Sequence, residues 1–409
     1  MRVLAIYLAI MLMILACGSG SDSTVSTSTV VHATTTAPVT TAAPTTTTTA
    51  APTTTAAPTT TAAPTTTAAP TTTAAPTTTA APTTTAAPTT TAAPTTTAAP
   101  STTTTIAVPR LALVVATINL LHGLEYASDC APETDQCAAP ARLRALWALI
   151  QNNLNCPDVV AFQEVSPRQQ ELVPDMLPTL CGGRYQLVVD DRGLPDQEMI
   201  LTDLQILDET YVELAGAPIW SAHWVRLKTG LGIVDVVATH FASSSFNLEC
   251  LEPGVAGCDE TCAPGDDYGA CHPRQTLALL EGLSVDAVLQ LVVGDLNRPI
   301  GDSRISTLTD AGFVDTYQAA DRPECDPKTG LGCSCCVEGG PPLAGLDDPA
   351  VRFTERIDFV LARPGVGCSL YVDPETTDHW ANQPLDSPVE DLWWAADHAG
   401  VVAGLSVAC

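Results

Sequence analysis

A hexad repeat, Thr-Thr-Thr-Ala-Ala-Pro, dominates residues 24–105 and most constrains what this chain can fold into. A period of six is too short for a solenoid unit, and the repeat contains no apolar side chain large enough to build a core. Regular proline favours extended polyproline II, and a Thr/Pro-rich composition is typical of mucin-like stalks. We therefore predict that residues 17–105 form a disordered spacer, open to O-glycosylation, with an adhesive role as the alternative. The folded domain is then confined to residues 106–409, which suffice for one large core.

The segment before the repeat predicts export. Residues 1–16 contain one basic residue, Arg2, followed by an apolar stretch too short to span a bilayer, which is typical of a secretory signal. The stretch ends in Ile-Leu-Ala-Cys-Gly, which resembles the lipobox of bacterial lipoproteins and implies cleavage before Cys17 and lipidation of that cysteine. The alternative is an ordinary signal peptide with a chance cysteine. We expect a cell-surface or outer-membrane lipoprotein that faces outward and is anchored without a transmembrane helix.

The cysteine content agrees with export. Of the 15 cysteines, 14 remain after Cys17 is removed, and all of these lie between Cys130 and Cys409. An even number in an exported chain predicts up to seven disulfides, although the sequence does not determine their connectivity. The competing interpretation is a zinc site, because several cysteines lie close together in one short segment. These are Cys325, Cys333, Cys335 and Cys336.

The charge balance argues against tight binding of nucleic acid. The formal net charge is −28, and the chain has only two lysines, Lys228 and Lys328. Proteins that bind DNA by neutralising many phosphates usually present a basic face, and this sequence shows none. Processive DNA binding is therefore not expected, whereas transient contact through a metal ion is compatible with this composition.

The pattern of apolar residues in the domain predicts many strands and few helices. Clear helical periodicity is limited to residues 140–153 and 274–283. Strand-like apolar runs cover residues 111–118, 159–162, 185–189, 199–201, 222–227, 232–239, 289–293, 357–362 and 399–407. This pattern predicts two packed sheets with helices outside. Two cysteine-rich stretches, residues 249–271 and 324–336, look like disulfide-linked loops inserted between core elements.

Polar residues recur where these strands begin or end. Each one alone has an ordinary explanation, because Asn and Asp are common turn formers and a histidine at a strand end is usually just solvated. Together they combine carboxylate and carboxamide oxygens, which suit Mg²⁺, with two histidines able to act on water or phosphate. The positions are Asn119, Glu164, His240, Asp295, Asn297, Asp358, Asp397 and His398.

The motifs around these residues occur in a recognisable order. The sequence contains TIN, FQEV, ATH, GDLN, RIDFV and ADH, in that order, between residues 108 and 409. This set resembles the endonuclease/exonuclease/phosphatase superfamily, the DNase I-like phosphoesterases. The resemblance implies an α/β fold, a four-layer α/β/β/α sandwich, and metal-dependent cleavage of phosphate esters.

The resemblance also implies a metal site. Carried over by motif, Glu164 is the principal metal ligand, and Asn119 lies beside it at the metal and phosphate. Asp397 completes the acidic cluster as a second ligand in some members. The implied ion is Mg²⁺, with Mn²⁺ or Ca²⁺ as alternatives.

The remaining residues are implied to be catalytic. Asp295 and Asn297 orient the attacking water and the phosphate oxygens. His398 is the catalytic histidine, acting as general base or as a cation that stabilises the phosphate, and Asp358 orients it. His240 contacts the scissile phosphate and helps the leaving group.

Some features depart from the family pattern. Asp378 and His379 form a second Asp-His pair, but a polar stretch follows them, so we favour the pair that precedes the last strand. Ile118 stands where many members carry Trp or Tyr. No signature of a lesion-specific, inositol-phosphate-specific or sphingomyelin-specific branch is present. The two cysteine-rich insertions are expected to border the active site.

We expect a surface-tethered metal-dependent phosphodiesterase. Among its candidate activities, we favour that of an extracellular nuclease. The alternatives are a phospholipase C- or sphingomyelinase-like enzyme and a non-catalytic stalked binding module. The expected partners are a phosphodiester, from nucleic acid or a phospholipid headgroup, and a membrane through the lipid anchor only. No obligate protein partner is inferred. An apolar Trp393-Trp394 segment could enter a bilayer, but we expect these two side chains to lie in the core or a pocket wall.

Overall fold

The computed structural model describes residues 111–121, 135–190, 192, 197–216, 220–230, 232–243, 248–250, 257–263, 265–283, 286–336 and 345–409. Backbone contacts divide the chain into two units, Met1–Thr97 and Ala98–Cys409, and all described residues lie in the second. The predicted signal, Cys17 and the stalk lie outside the described residues. Among the described helices, none is both long and apolar enough to cross a membrane.

Twelve strands of the described residues form two six-stranded sheets. The strands are β1 (Leu111–Asn119), β2 (Val159–Val165), β3 (Gln186–Val189), β4 (Gln197–Thr202), β5 (Gln205–Glu213), β6 (Ser221–Lys228), β7 (Ile233–His240), β8 (Ala287–Asp295), β9 (Val314–Asp315), β10 (Asp358–Pro364), β11 (Ser369–Trp380) and β12 (Gly400–Ala408). The first sheet has the order β11-β12-β1-β2-β4-β3, and the second β5-β6-β7-β8-β10-β9. In each sheet one central pair is parallel, β1 with β2 and β7 with β8.

The helices of the described chain are α1 (Asp135–Asn152), α2 (Pro167–Met176), α3 (Tyr268–Leu283), α4 (Ser306–Asp310) and α5 (Thr316–Ala319). A 3₁₀ segment, Leu177–Gly183, follows α2.

The core lies between the two sheets. Val115 and Ile200 of the first sheet belong to the same buried apolar cluster as Val236, Leu291 and Val360 of the second. Neighbouring residues on each strand point outward instead, so the central strands are apolar on both faces. That explains why they appear in the sequence as continuous runs of Val, Leu and Ile.

The outer faces of both sheets are covered by helices. Leu143 and Ile150 of α1 pack with Ile118 and Phe162 on the first sheet. Leu280 of α3 belongs to the buried cluster on the outside of the second sheet. The result is the predicted four-layer α/β/β/α sandwich, which is confirmed.

Three strands and one of the longer helices were not predicted. Strand β5 is an edge strand with mostly exposed, polar residues, and β11 is an edge strand with Pro374 at an irregularity in its register. Helix α2 is amphipathic only in part, but its start carried a readable signal. Ser166 accepts a hydrogen bond from the backbone of Gln169, whose side chain in turn accepts one from the backbone of Ser166.

Twelve cysteines form six disulfides within the described chain. The pairs are Cys156–Cys181, Cys250–Cys258, Cys262–Cys271, Cys325–Cys333, Cys335–Cys336 and Cys368–Cys409. The structure thus supports disulfides over a zinc site, because all four cysteines of the suspected zinc cluster are paired. The side chains of the other two cysteines predicted to form disulfides, Cys130 and Cys137, lie outside the part of the protein that the structure describes.

A buried histidine links α3 to the loops beside the second sheet. His272 is fully buried, and its Nε2 donates to the carbonyl oxygen of Ala215 at 2.7 Å. Its Nδ1 accepts from the backbone N–H of Ala242 at 3.1 Å, which requires the neutral ring. Burial lowers the pKa of His272 to about 4.

We expect His272 to contribute to acid sensitivity. Its folded pKa lies below its unfolded value of about 6.5, so the unfolded chain binds the extra proton first. Stability is then fully present above about pH 6.5 and falls as the pH decreases toward about 4, by about 1.4 kcal/mol per pH unit. His272→Gln retains a donor and an acceptor but does not titrate. The difference in unfolding free energy between the wild type and this variant should narrow from pH 7.5 to pH 5; a constant difference would contradict this assignment.

Candidate active site at one edge of the sandwich

Strand direction brings the predicted site residues to one edge. The parallel pairs β1–β2 and β7–β8 end together, which places Asn119 near Glu164 and His240 opposite Asp295. Strand β10 runs antiparallel to β8, so its first residue, Asp358, pairs with Asp295 at the same edge. His398 joins them because it lies two residues before β12, which is antiparallel to β1.

Glu164 reaches the cluster through an irregularity in β2. The register of β2 against β4 shifts between Phe162 and Val165, and Glu164 has a φ of +55°. The carboxylate lies 2.9 Å from Asn119 Nδ2, which donates to it. Asn119 Nδ2 also donates to Asp295 Oδ2 at 3.2 Å. The amide of Asn119 therefore holds the two carboxylates on either side of it, one from each sheet.

Asp295 and Asn297 form both a turn and part of the site. Asp295 Oδ1 accepts from the backbone N–H of Asn297 at 2.8 Å, which is an Asx turn. The side chain of Asn297 donates to the carbonyl oxygen of Phe241 at 2.8 Å and lies 2.9 Å from His240 Nε2. Because Nδ2 can only donate, Nε2 of His240 accepts, and His240 is neutral in this arrangement. Asp295 and Asn297 thus form a turn, and the side chain of Asn297 also contacts His240, another predicted site residue.

Gly294 is required where β7 and β8 approach each other beside this turn. Its φ is +138°, and a Cβ on it would collide with the carbonyl oxygen of Thr239. Any other residue would move Asp295 relative to His240.

Asp358 and His398 form a buried pair. His398 Nδ1 lies 2.9 Å from Asp358 Oδ2 and 3.2 Å from Oδ1, so the ring donates its Nδ1 proton to the carboxylate. Both side chains are almost fully buried. The other ring nitrogen, Nε2, lies 3.8 Å from Asp295 Oδ2. The ring thus connects Asp358 to the carboxylate cluster.

The pKa values reflect this crowding of charge. Burial, with repulsion from Asp358, raises the pKa of Asp295 to about 6. Burial alone would lower the pKa of His398, but the adjacent Asp358 and Asp295 carboxylates raise it well above the usual value. Burial also raises the pKa of Asp397, against the attraction of His398. A surplus of buried negative charge is therefore concentrated at one point.

These residues fit a divalent cation. One ligand atom from each of Glu164, His240 and Asp295 lies within 4.8 Å of the others. Asp397 lies outside this group, but its Oδ1 is a buried oxygen without a hydrogen-bond partner. Carboxylate oxygens in this number, mutually repulsive and partly unbonded, are the donors that Mg²⁺ prefers.

The second Asp-His pair lies apart from this cluster. His379 is in β11 and stacks on Tyr317 with 4.2 Å between ring centroids. Burial lowers its pKa to about 3, so the ring is neutral. In the described structure His398 is hydrogen-bonded to the carboxylate of Asp358, which lies in the cluster.

Two residues that support the site were missed from the sequence. Arg142 of α1 is buried, and its guanidinium donates to the carbonyl oxygens of Leu120, Leu121 and Ala395. It thereby joins the chain after β1 to the chain before His398. Its signal was a lone arginine on an otherwise apolar helix face. Ser334, which contacts Asp358, had no signal at all.

Comparison with known families places the chain. The model of the Endonuclease/Exonuclease/phosphatase family matches residues 116–379, which is more than half of the chain. The chain belongs to this family. Members of the family are hydrolytic phosphoesterases that commonly use divalent metal ions. The match ends before Asp397 and His398, so only the structure shows that these two residues lie near the other predicted site residues. No curated protein matches the chain.

Solved structures of this fold resemble the protein at low identity. A D. rerio TDP2 complexed with single-strand DNA product is 14% identical, with a TM-score of 0.50, and the match covers 72% of this chain and 98% of that one. An endonuclease/exonuclease/phosphatase from Bacteroides vulgatus is 18% identical over 72% of this chain and 98% of that one, with a TM-score of 0.48. A mannosyl-6-phosphatase from Bacteroides thetaiotaomicron is 15% identical over 72% and 99%, with a TM-score of 0.46. The first of these supports the fold alone.

Proposed function

We propose that residues 106–409 form a metal-dependent phosphodiesterase that attacks its substrate with an activated water, and that the protein is an extracellular nuclease. Residues 1–16 would direct export, Cys17 would carry the lipid, and residues 17–105 would hold the domain away from the membrane. The observation that carries the activity is the Asp358–His398 pair, with Nε2 of His398 aimed at Asp295.

The charges around His398 support a role as a cation. Two carboxylates raise the pKa of the ring, so it is protonated at neutral pH and presents a positive Nε2–H. A phosphate that reacts beside it gains negative charge, which this cation would stabilise. Asp358 keeps the ring oriented and balances its charge.

Asp295 is placed to handle the proton of the attacking water. Burial raises its pKa to about 6, close to the working pH of a general base. Its Oδ1 is held by the backbone of Asn297, which leaves Oδ2 directed at the cluster. The side-chain amide of Asn297 is held by Phe241 and His240, and it would orient phosphate oxygens from this fixed position.

Glu164 would hold the metal ion, with Asn119 positioning its carboxylate and Asp397 offering a further oxygen. When bound, Mg²⁺ draws negative charge away from the phosphate. His240 Nε2 lies 3.7 Å from both Glu164 Oε1 and Asp295 Oδ2, and this ring would contact the scissile phosphate near the leaving group.

A nuclease is preferred over a phospholipase because no membrane-inserting segment is evident among the described residues near the site. Trp394 is buried, packs edge-on against Phe353 at 5.2 Å, and donates its Nε1–H to the carbonyl oxygen of Asp348. It is therefore part of a small core, as expected, and is not free to enter a bilayer. The disulfides suit an enzyme that works outside the cell.

Nicking of supercoiled plasmid tests the proposed function. We expect the oxidised protein to convert supercoiled plasmid to the open circle in Mg²⁺, and to lose this activity in EDTA and in His398→Ala. The variant must retain the wild-type thermal unfolding midpoint.

Two other results of the nicking assay would contradict the proposed nuclease. Nicking that persists in both EDTA and His398→Ala would indicate a contaminant and remove the support for a nuclease. No nicking, together with Mg²⁺-dependent release of phosphocholine from sphingomyelin vesicles, would replace the nuclease with the phospholipase C-like alternative.

A further inference from the structure

Ser334 lies in the second cysteine-rich insertion and touches the proposed catalytic pair. Its side chain is fully buried, and its hydroxyl lies 2.7 Å from Asp358 Oδ2. The same carboxylate oxygen receives the proton of His398 Nδ1 at 2.9 Å. Ser334 and His398 therefore meet on one oxygen atom of Asp358.

The direction of the hydroxyl proton follows from its other neighbours. Ser334 Oγ accepts hydrogen bonds from the backbone N–H groups of Ile357, at 3.2 Å, and Asp358, at 3.1 Å. A hydroxyl has two acceptor lone pairs and one donor, and both lone pairs are engaged here. The proton is then left to point at Asp358 Oδ2, where it forms a hydrogen bond to a charged acceptor.

The backbone of Ser334 reaches the histidine side of the pair. Its carbonyl oxygen accepts from the N–H of Ala399 at 2.7 Å, directly after His398. Its own N–H donates to the carbonyl oxygen of Glu355 at 2.7 Å. One residue thus connects Glu355, in the segment that leads into β10 and Asp358, to Ala399, which lies between His398 and β12.

The insertion holds Ser334 in place from both sides. Cys333, just before it, is bonded to Cys325, and Cys335, just after it, is bonded to Cys336. The carbonyl oxygen of Cys335 accepts from the N–H groups of Thr354 and Glu355, both at 2.6 Å. A sulfur of each cysteine of the Cys335–Cys336 pair lies within 4.8 Å of a ring nitrogen of His398. The Cys325–Cys333 disulfide and these backbone hydrogen bonds therefore attach the residues on both sides of Ser334 to neighbouring segments.

We propose that Ser334 is a positioning residue for the hydrolysis: by holding Asp358, it fixes the orientation of the His398 ring. The second cysteine-rich insertion then serves to deliver this serine as well as to border the site. The inference rests on the proposed function. Without the hydroxyl, the Asp358 carboxylate loses one of its donors and can turn about its Cβ–Cγ bond, which misaligns His398.

A double-mutant cycle separates this role from a general effect on the fold. We expect Ser334→Ala to lower kcat roughly ten- to hundredfold, the range for a hydrogen bond to a charged group, with KM and the Mg²⁺ midpoint unchanged. In an Asp358→Asn background the same substitution should cause no further loss, because the two residues act through one contact. The substrates are plasmid DNA and a small chromogenic phosphodiester.

Thr316→Val is the matched control. Thr316 is buried, and its hydroxyl donates to the carbonyl oxygen of Val360 at 2.8 Å, on the same strand as Asp358 but away from the site. We expect this variant to lower the unfolding temperature and leave kcat unchanged. Should Ser334→Ala fail to fold, Ser334→Gly takes its place, because it also removes the hydroxyl and adds no thiol beside the flanking disulfides.

Two results would overturn the positioning role: an unchanged kcat in Ser334→Ala, or an equal loss in the presence and absence of the Asp358 substitution. Failure of the proposed function looks different, because the wild type itself would then turn over neither substrate. In that case the crystal structure of Ser334→Ala decides, since positioning requires that the distance from His398 Nδ1 to Asp358 lengthens beyond 2.9 Å. A ring that has not moved would reject the inference.

Discussion

Replacing His398 by alanine is expected to lower turnover about a thousandfold, the range for removal of one acid–base or charge-stabilising group. The ring is the one that bridges Asp358 and Asp295, so its removal leaves two neighbouring buried carboxylates without the cation between them. The protein should remain folded because the main packing of β12 lies in the sheet. Single-turnover rates at saturating Mg²⁺ measure the loss.

His379→Gln is the matched control for this prediction. His379 is also buried and also follows an aspartate, but it stacks on Tyr317 and does not contact the carboxylate cluster. We expect lower stability and unchanged turnover. A thousandfold loss in His379→Gln with normal turnover in His398→Ala would exchange the roles of the two Asp-His pairs.

Replacing Glu164 by glutamine is expected to raise the Mg²⁺ concentration for half-maximal activity about a hundredfold or more. Changing a residue that only hydrogen-bonds to a metal ligand already reduces metal affinity by about 10–100-fold, and Glu164 is proposed to contact the ion directly. Glutamine retains the size of the side chain and an oxygen that can accept from Asn119 Nδ2, so the local structure should persist. The lost quantity is one negative charge at the metal.

The control is Glu171→Gln, which removes the same charge from the exposed surface of α2, where Glu171 pairs with Arg168. Its metal titration should match that of the wild type. A Glu164→Gln titration that also matched the wild type would remove Glu164 from the set of ligands.

Much of the fold was readable because burial shapes the sequence directly. Strands such as β8, buried on both faces, must be apolar throughout, and they were predicted within a few residues. Strand β5 was missed because an exposed edge places no such demand on its residues. The polar residues at strand ends were found for a related reason, since Asp295 interrupts an apolar run only where a strand leaves the core.

The disulfide pairing, by contrast, depends on which loops meet. Cys368 and Cys409 are 41 residues apart, yet they lie together because β11 and β12 are paired. Nothing in the spacing of the cysteines distinguishes this pairing from the alternatives.

The sequence by itself determined the two-sheet class and the chemistry of the strand ends, and it predicts the division into a repeat and a folded domain. These are local properties, set by side-chain size, periodicity and charge within a few residues. Only the tertiary structure revealed that the Ser334 hydroxyl contacts Asp358, and that the Arg142 guanidinium holds the chain before His398 through Ala395. Those contacts join residues brought together by sheet pairing and packing, and hydrogen bonds between distant segments leave no periodic trace in the chain.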